Sequence, residues 1–75
     1  MVMSGSLFEQ VRQKLTQREG QVLALIVLGK CNKEIASELG ISLPTAKFHA
    51  ANLLHKFNVN TRIELLSLLV RTERG

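Results

Sequence analysis

The chain has 75 residues, with ten Lys and Arg against six acidic residues, a net charge of +4 and a pI near 9.9. This length allows one small domain and argues against an enzyme with a deep, dry active-site pocket. The basic balance favours a polyanionic partner, either nucleic acid or an acidic membrane surface.

The single cysteine, Cys31, excludes an intramolecular disulfide and a cysteine-rich metal site, and it fits a reducing compartment. The first six residues are too short and too polar a stretch for a signal peptide. The longest apolar run, Val22 to Leu28, is far shorter than the roughly 20 residues of a membrane span. We therefore expect a cytoplasmic protein without a membrane partner.

Helix signals dominate, and strand and hairpin signals are nearly absent. Residues 1–14 are expected to be an extension or linker, in which Leu7, Phe8 and Val11 have helical spacing. Residues 15–75 are expected to form one all-α domain of four helices. The first helix begins at a capping box formed by Thr16 and Glu19 and runs to about Leu28.

Gly29 ends the first helix, and a second, short helix extends from about Lys33 to Leu39 before Gly40. Its N-cap is Asn32 or Cys31. Asn32 is the better chemical candidate, since a thiol is a poor hydrogen-bond acceptor.

The third helix is capped by Ser42, has Pro44 in its first turn, and runs to about Phe57. Residues 58–60 form a turn. A second capping box, Thr61 with Glu64, then opens a fourth helix that continues through about Val70.

The segment from Asn32 to Ala51 predicts a helix-turn-helix, in which two helices cross steeply through a short turn. Ala36 allows the close crossing, and Gly40, four positions later, tolerates the positive φ of the turn. The alternative is a plain helical bundle whose short helix happens to end in glycine.

The third helix has two different faces when it is projected at about 100° per residue. One face is apolar and belongs to the core: Ala46, Ala50, Leu53 and Phe57. The opposite face carries Lys47, Phe48, Ala51 and His55.

A lysine among small and apolar groups fits close approach to a DNA major groove. We therefore predict base contacts by Lys47, Phe48 and Ala51. For Phe48 the alternative is that its ring folds back onto the core.

Phosphate contacts are expected around this face. Lys33 stands at the amino end of the second helix, where free amides and the helix dipole favour an anion. The predicted phosphate contacts are Asn32, Lys33, Thr45, Asn52 and Lys56.

These residues resemble a known family. The matching segments are Leu15-Thr16-Gln17-Arg18-Glu19, Val22-Leu23, Gly29, Asn32-Lys33-Glu34-Ile35-Ala36, Leu39, Ile41-Ser42, Thr45, Lys47, His49, Asn52-Leu53, Lys56 and Arg62. They are similar to the LuxR-type (GerE-type) domain of bacterial transcription regulators, and the resemblance covers about Leu15 to Leu69. It implies a four-helix fold, a third helix in the major groove of double-stranded DNA, and dimerisation through the fourth helix.

The sequence departs from the LuxR-type pattern at four positions. Cys31 replaces the usual Ser or Thr cap, and Ala46 replaces the usual Val. Pro44 and Ala51 stand where many members carry a polar or basic residue. Pro44 and Ala51 favour an alternative function, a protein-interaction module that pairs with or inhibits related regulators without binding DNA.

No metal site, cofactor or catalytic residue is expected. His49 and His55 are six residues apart on one helix, so their side chains do not converge on a metal. The glutamates Glu19, Glu34 and Glu64 have capping explanations, and Glu19 is a candidate ion-pair partner of Arg62.

The fourth helix has apolar residues over an arc of roughly 220°, more than its own core requires. A second copy of the chain is the simplest partner for the surplus, with Leu65, Leu68 and Leu69 as the expected dimer face. Other candidate partners are RNA polymerase and an upstream receiver or ligand-binding domain.

Overall fold

A computed structural model of the chain describes residues 14–74. It contains α1 (Gln17–Val27), α2 (Asn32–Leu39), α3 (Leu43–Lys56) and α4 (Arg62–Arg74). Every regular element of this part of the chain is helical, which confirms the predicted all-α class. The helical spacing of Leu7, Phe8 and Val11 lies outside the described residues.

The helix starts confirm most of the predicted caps. In α1, the Thr16 hydroxyl accepts the Glu19 amide at 3.0 Å, and Glu19 Oε1 accepts the Thr16 amide at 3.0 Å. Thr61 and Glu64 form the same reciprocal pair before α4, with both hydrogen bonds at 3.1 Å. The first four amides of a helix have no carbonyl acceptor within that helix, so residues whose side chains can accept them are favoured at its start.

Two helix limits differ from the preferred prediction. The N-cap of α2 is Cys31, the less favoured of the two predicted candidates, so this helix begins at Asn32, one residue earlier than expected. Helix α4 continues to Arg74, beyond the predicted end at Val70. The prediction stopped α4 at its last apolar residue, but neither glycine nor proline follows before Gly75 to end the helix.

Glycines end the first two helices as predicted. Gly29 has φ 86° and Gly40 has φ 67°, both in the left-handed region that a side chain disfavours. The Lys30 amide donates to the Leu25 carbonyl at 3.0 Å, which closes the last turn of α1.

The core lies between α3 and the first two helices, since α3 packs against both α1 and α2. All four helices contribute buried apolar side chains to one cluster: Val22, Leu23, Ile26, Ile35, Ala36, Ala46, Ala50, Leu53, Leu65 and Leu69. Helix α3 is therefore held on its inner face, and its outer face is left free.

The predicted dimer face on α4 needs correction. Leu65 is completely buried and Leu69 is 8% exposed, both within the core of the same chain. Leu68 is half-buried. The apolar side chains that α4 leaves exposed are Ile63 and Val70. Within residues 14–74, no helix has the length and apolar character to cross a bilayer.

Candidate nucleic-acid interface

Helices α2 and α3 are joined by a tight turn centred on Gly40. The Ile41 amide donates to the Ala36 carbonyl at 3.0 Å across this turn. Ala36 and Ala46 are both buried in the common core, one from each helix. The small side chain of Ala36 allows the close crossing of a helix-turn-helix, as the sequence predicted, and Ala46 is a second small residue at the crossing.

The outward face of α3 carries the predicted base contacts. Lys47 and Ala51 are exposed, with His55 exposed on the same side one turn further along. Pro44 is exposed at the start of this face, so small or rigid groups surround the lysine. The structure therefore brings Lys47, Phe48 and Ala51 together on one accessible surface.

Phe48 points into solvent. Its side chain is 62% exposed, and its ring meets the ring of His49 edge-on with the centroids 5.8 Å apart. The alternative in which Phe48 folds back onto the core is excluded. An exposed aromatic ring on this face is available for an apolar contact such as a thymine methyl.

Thr45 lies at the amino end of the same helix. The Ser42 hydroxyl accepts the Thr45 amide at 3.2 Å and donates to Thr45 Oγ1 at 2.8 Å. The Thr45 side chain is exposed, and a hydroxyl can donate one hydrogen bond as well as accept. A phosphate oxygen is an acceptor of this kind.

The amino end of α2 presents a second group of donors. Lys33 is exposed there, and the cap residue is Cys31, whose thiol is only a weak hydrogen-bond acceptor. Glu34 Oε1 instead accepts the Cys31 amide at 2.9 Å, and this bond lowers the pKa of Glu34. With only this weak acceptor at the cap, the first amides inside α2 can still bind an anion.

Asn32 sits in the first turn of α2 and is tied to the start of α4. Arg62 Nη2 donates to Asn32 Oδ1, and Arg62 Nη1 donates to the Lys30 carbonyl at 2.9 Å. Sequence reasoning missed this contact, which joins residues 30 positions apart.

The Lys56 ammonium makes two hydrogen bonds within the domain. Its Nζ donates to Glu19 Oε1 at 2.7 Å and to the Lys14 carbonyl at 3.0 Å. The predicted pair between Glu19 and Arg62 was therefore wrong. An ammonium has three donors, so the predicted phosphate contact of Lys56 depends on the third N–H.

Glu19 is a buried carboxylate, with 4% of its surface exposed. The hydrogen bond from Lys56 lowers the pKa of Glu19, desolvation opposes it, and the Thr16 amide lowers the pKa further. The pair thus holds the carboxyl end of α3 against the amino end of α1.

The distribution of charge distinguishes α3 from the other helices. Helix α3 contains no acidic residue, whereas α1, α2 and α4 each contain at least one glutamate. Lys33 and Lys47 are both exposed, one on each helix of the crossing pair. A polyanion meets no carboxylate on α3 itself.

The histidines do not approach each other as ligands. His55 is exposed, and His49 is half-buried against Phe48. Among the described residues, no three His, Cys, Asp or Glu side chains are grouped so that they could hold a metal ion.

Two helices that cross through a short glycine turn form a helix-turn-helix, the class of motif that places its second helix against DNA. Residues 13–69 match the family of bacterial regulatory proteins called the luxR family. The chain belongs to this family, whose members are transcription regulators.

Several curated relatives are similar over most of the chain. The uncharacterized response regulatory protein YgeK of Escherichia coli is 43% identical over 58 residues, covering 77% of this chain and 40% of YgeK. The transcriptional regulatory protein MctR of Rhizobium johnstonii is 44% identical over 62 residues, covering 83% of this chain and 29% of MctR. The nitrate/nitrite response regulator protein NarP of Escherichia coli is 46% identical over 61 residues, covering 81% of this chain and 28% of NarP.

The chain therefore spans less than half the length of these relatives.

Proposed function

We propose that the chain binds double-stranded DNA as a dimer, with α3 in the major groove, and thereby regulates transcription. The observation that carries the proposal is the exposed face of α3, which presents Lys47 among Pro44, Ala51 and Phe48 and contains no acidic residue. Membership of the luxR family supports it.

Bases are approached by three side chains in this proposal. Lys47 donates to guanine acceptors, and Phe48 and Ala51 contact thymine methyl groups. Pro44 and Ala51 have small side chains, which allow the helix backbone to approach the groove floor closely. Long polar groups at these two positions are not needed for a close fit.

Phosphate contacts surround the groove helix and fix its position on the duplex. Lys33 and the amides of the first turn of α2 bind one phosphate through charge and hydrogen bonds. The further phosphate contacts are Asn32, Thr45, Asn52 and the remaining N–H of Lys56.

Pairing of two copies supplies the affinity that one small interface lacks. Two recognition helices related by a twofold axis fit half-sites about one DNA turn apart. RNA polymerase, or a receiver or ligand-binding domain joined before the described residues, is a further candidate partner.

The first test is fluorescence anisotropy of a labelled mixed-sequence duplex, titrated with the chain at low and then rising salt. We expect a Kd of about 10⁻⁴ to 10⁻⁶ M, with log affinity falling linearly with log salt. Lys47→Glu should weaken binding at least tenfold, because it places a carboxylate against the groove.

Arg18→Glu is the matched control, since it makes the same change of charge on α1, which carries none of the proposed contacts. An equal loss in both variants would assign the effect to net charge alone. No binding at low salt, at concentrations where sedimentation shows dimers, would instead favour a module that pairs with related regulators.

A further inference from the structure

Arg62 links three parts of the domain through one guanidinium. It is the first residue of α4, and its two terminal nitrogens reach the Lys30 carbonyl and the Asn32 side chain. Lys30 and Asn32 stand on either side of Cys31, the N-cap of α2. A single planar group therefore holds the backbone before the cap and the side chain after it.

The chemistry of the contact fixes the orientation of the Asn32 amide. A guanidinium carries only donors, so the group facing it must be the amide oxygen and not the NH₂. With Oδ1 bound to Arg62, the two hydrogens on Nδ2 are directed away from the guanidinium. No described hydrogen bond occupies them.

We propose that Arg62 is a positioning residue for phosphate binding at the start of α2. It presents Asn32 Nδ2 as a donor to a DNA phosphate and does not itself touch the DNA. This inference rests on the proposed function, because it needs a polyanion at Asn32. It explains why a residue of α4 contributes to a surface made by α2 and α3.

The test is a double-mutant cycle on duplex affinity, with Arg62→Met, Asn32→Ala and the double variant. Arg71→Met is the matched control, since it removes the same charge from an exposed position of α4. Arg62→Met should weaken duplex binding about three- to tenfold more than Arg71→Met does, because it removes the contribution of one hydrogen bond. In a chain that already carries Asn32→Ala, replacing Arg62 by Met should cause no such extra loss of affinity.

Salt dependence separates positioning from direct contact. An Arg62 that bound phosphate itself would, when replaced, lower the salt slope by about 0.9 more than Arg71→Met does. The positioning role predicts equal slopes in these two variants. Circular dichroism shows whether each variant is folded. If Arg62→Met unfolds, Arg62→Lys, which keeps the charge without the two-pronged geometry, replaces it in the double-mutant cycle, with Arg71→Lys as its control.

The outcomes are distinct. An unsubstituted chain that binds no duplex overturns the proposed function, and the positioning role with it. Duplex binding in which the losses from Arg62 and Asn32 simply add, or in which Arg62→Met equals Arg71→Met, overturns the positioning role alone.

Discussion

At the scale of single residues, the stability of the domain depends on the buried Glu19 carboxylate. It accepts from the Thr16 amide and from Lys56 Nζ, so it forms part of a helix cap and of a contact between helices. A buried charge of this kind is stable only while its partners are in place.

The pKa of Glu19, lowered mainly by its hydrogen bond with Lys56, makes the domain sensitive to acid. A carboxyl with a lower pKa in the folded chain contributes stability above its unfolded pKa of about 4.3, and this contribution is lost as pH falls through the folded value. The urea midpoint should therefore fall between pH 6 and pH 3, and it should fall less in Glu19→Gln.

Glu34→Gln is the control for this measurement. The pKa of Glu34 is also lowered, by the Cys31 amide, but its carboxylate is exposed. The urea midpoint of Glu34→Gln should therefore fall between pH 6 and pH 3 nearly as much as that of the unsubstituted chain. An unchanged pH dependence in Glu19→Gln would contradict the role assigned to the buried pair.

At the scale of helices, α3 ends differently from α1 and α2. Its left-handed residue is Asn58, with φ 58°, where the other two helices use glycine. The Asn58 amide donates to the His55 carbonyl and the Val59 amide to the Leu54 carbonyl, both at 3.0 Å. Asparagine tolerates this conformation better than other residues that have a side chain.

Asn58→Ala should lower the free energy of unfolding by about 1 kcal/mol, because the Cβ of alanine is strained in a left-handed backbone conformation and its side chain cannot form a compensating hydrogen bond. Asn58→Gly should keep or raise the stability. Urea denaturation measures both, with Asn60→Ala as the control in the same turn. Equal losses in the alanine and glycine variants would show that the Asn58 side chain, and not its φ, is what matters.

Local features of the helices could be predicted from the sequence, and contacts between helices could not. The caps at Thr16, Ser42 and Thr61 depend on partners three residues away, so spacing is enough to find them. Asn32 was predicted as a cap, but its side-chain oxygen binds Arg62 on another helix. That partner is set by the packing of α4, about which the local sequence carries no signal.

In the candidate interface too, local features could be predicted from the sequence and contacts between helices could not. The sequence identified the exposed face of α3, because a helical projection separates buried from exposed positions. It did not identify Lys56 as the partner of Glu19, since the two lie 37 positions apart. Helix α4 is apolar on too many sides for a projection to separate its core face from its exposed face.

At the scale of the whole molecule, the exposed apolar residues of α4 are the candidate contact for the proposed pairing of two copies. Ile63 is 76% exposed and Val70 is 53% exposed. They are seven positions apart, about two helical turns, so they lie on the same side of the helix. Burying both in a twofold contact would remove apolar surface from water in each copy.

Ile63→Asp should weaken self-association at least tenfold in sedimentation equilibrium and leave the helix content unchanged, because it would bury a charge in the contact. Val27→Asp is the control, as it alters an exposed apolar side chain of α1. If Val27→Asp disrupts pairing and Ile63→Asp does not, the contact lies on α1 instead.

The contact of Lys56 with the Lys14 carbonyl, at 3.0 Å, joins the backbone just before α1 to the carboxyl end of α3. Because the same ammonium also binds Glu19, the start of the domain and the end of α3 share one anchoring point, and a substitution of Lys56 would release both at once.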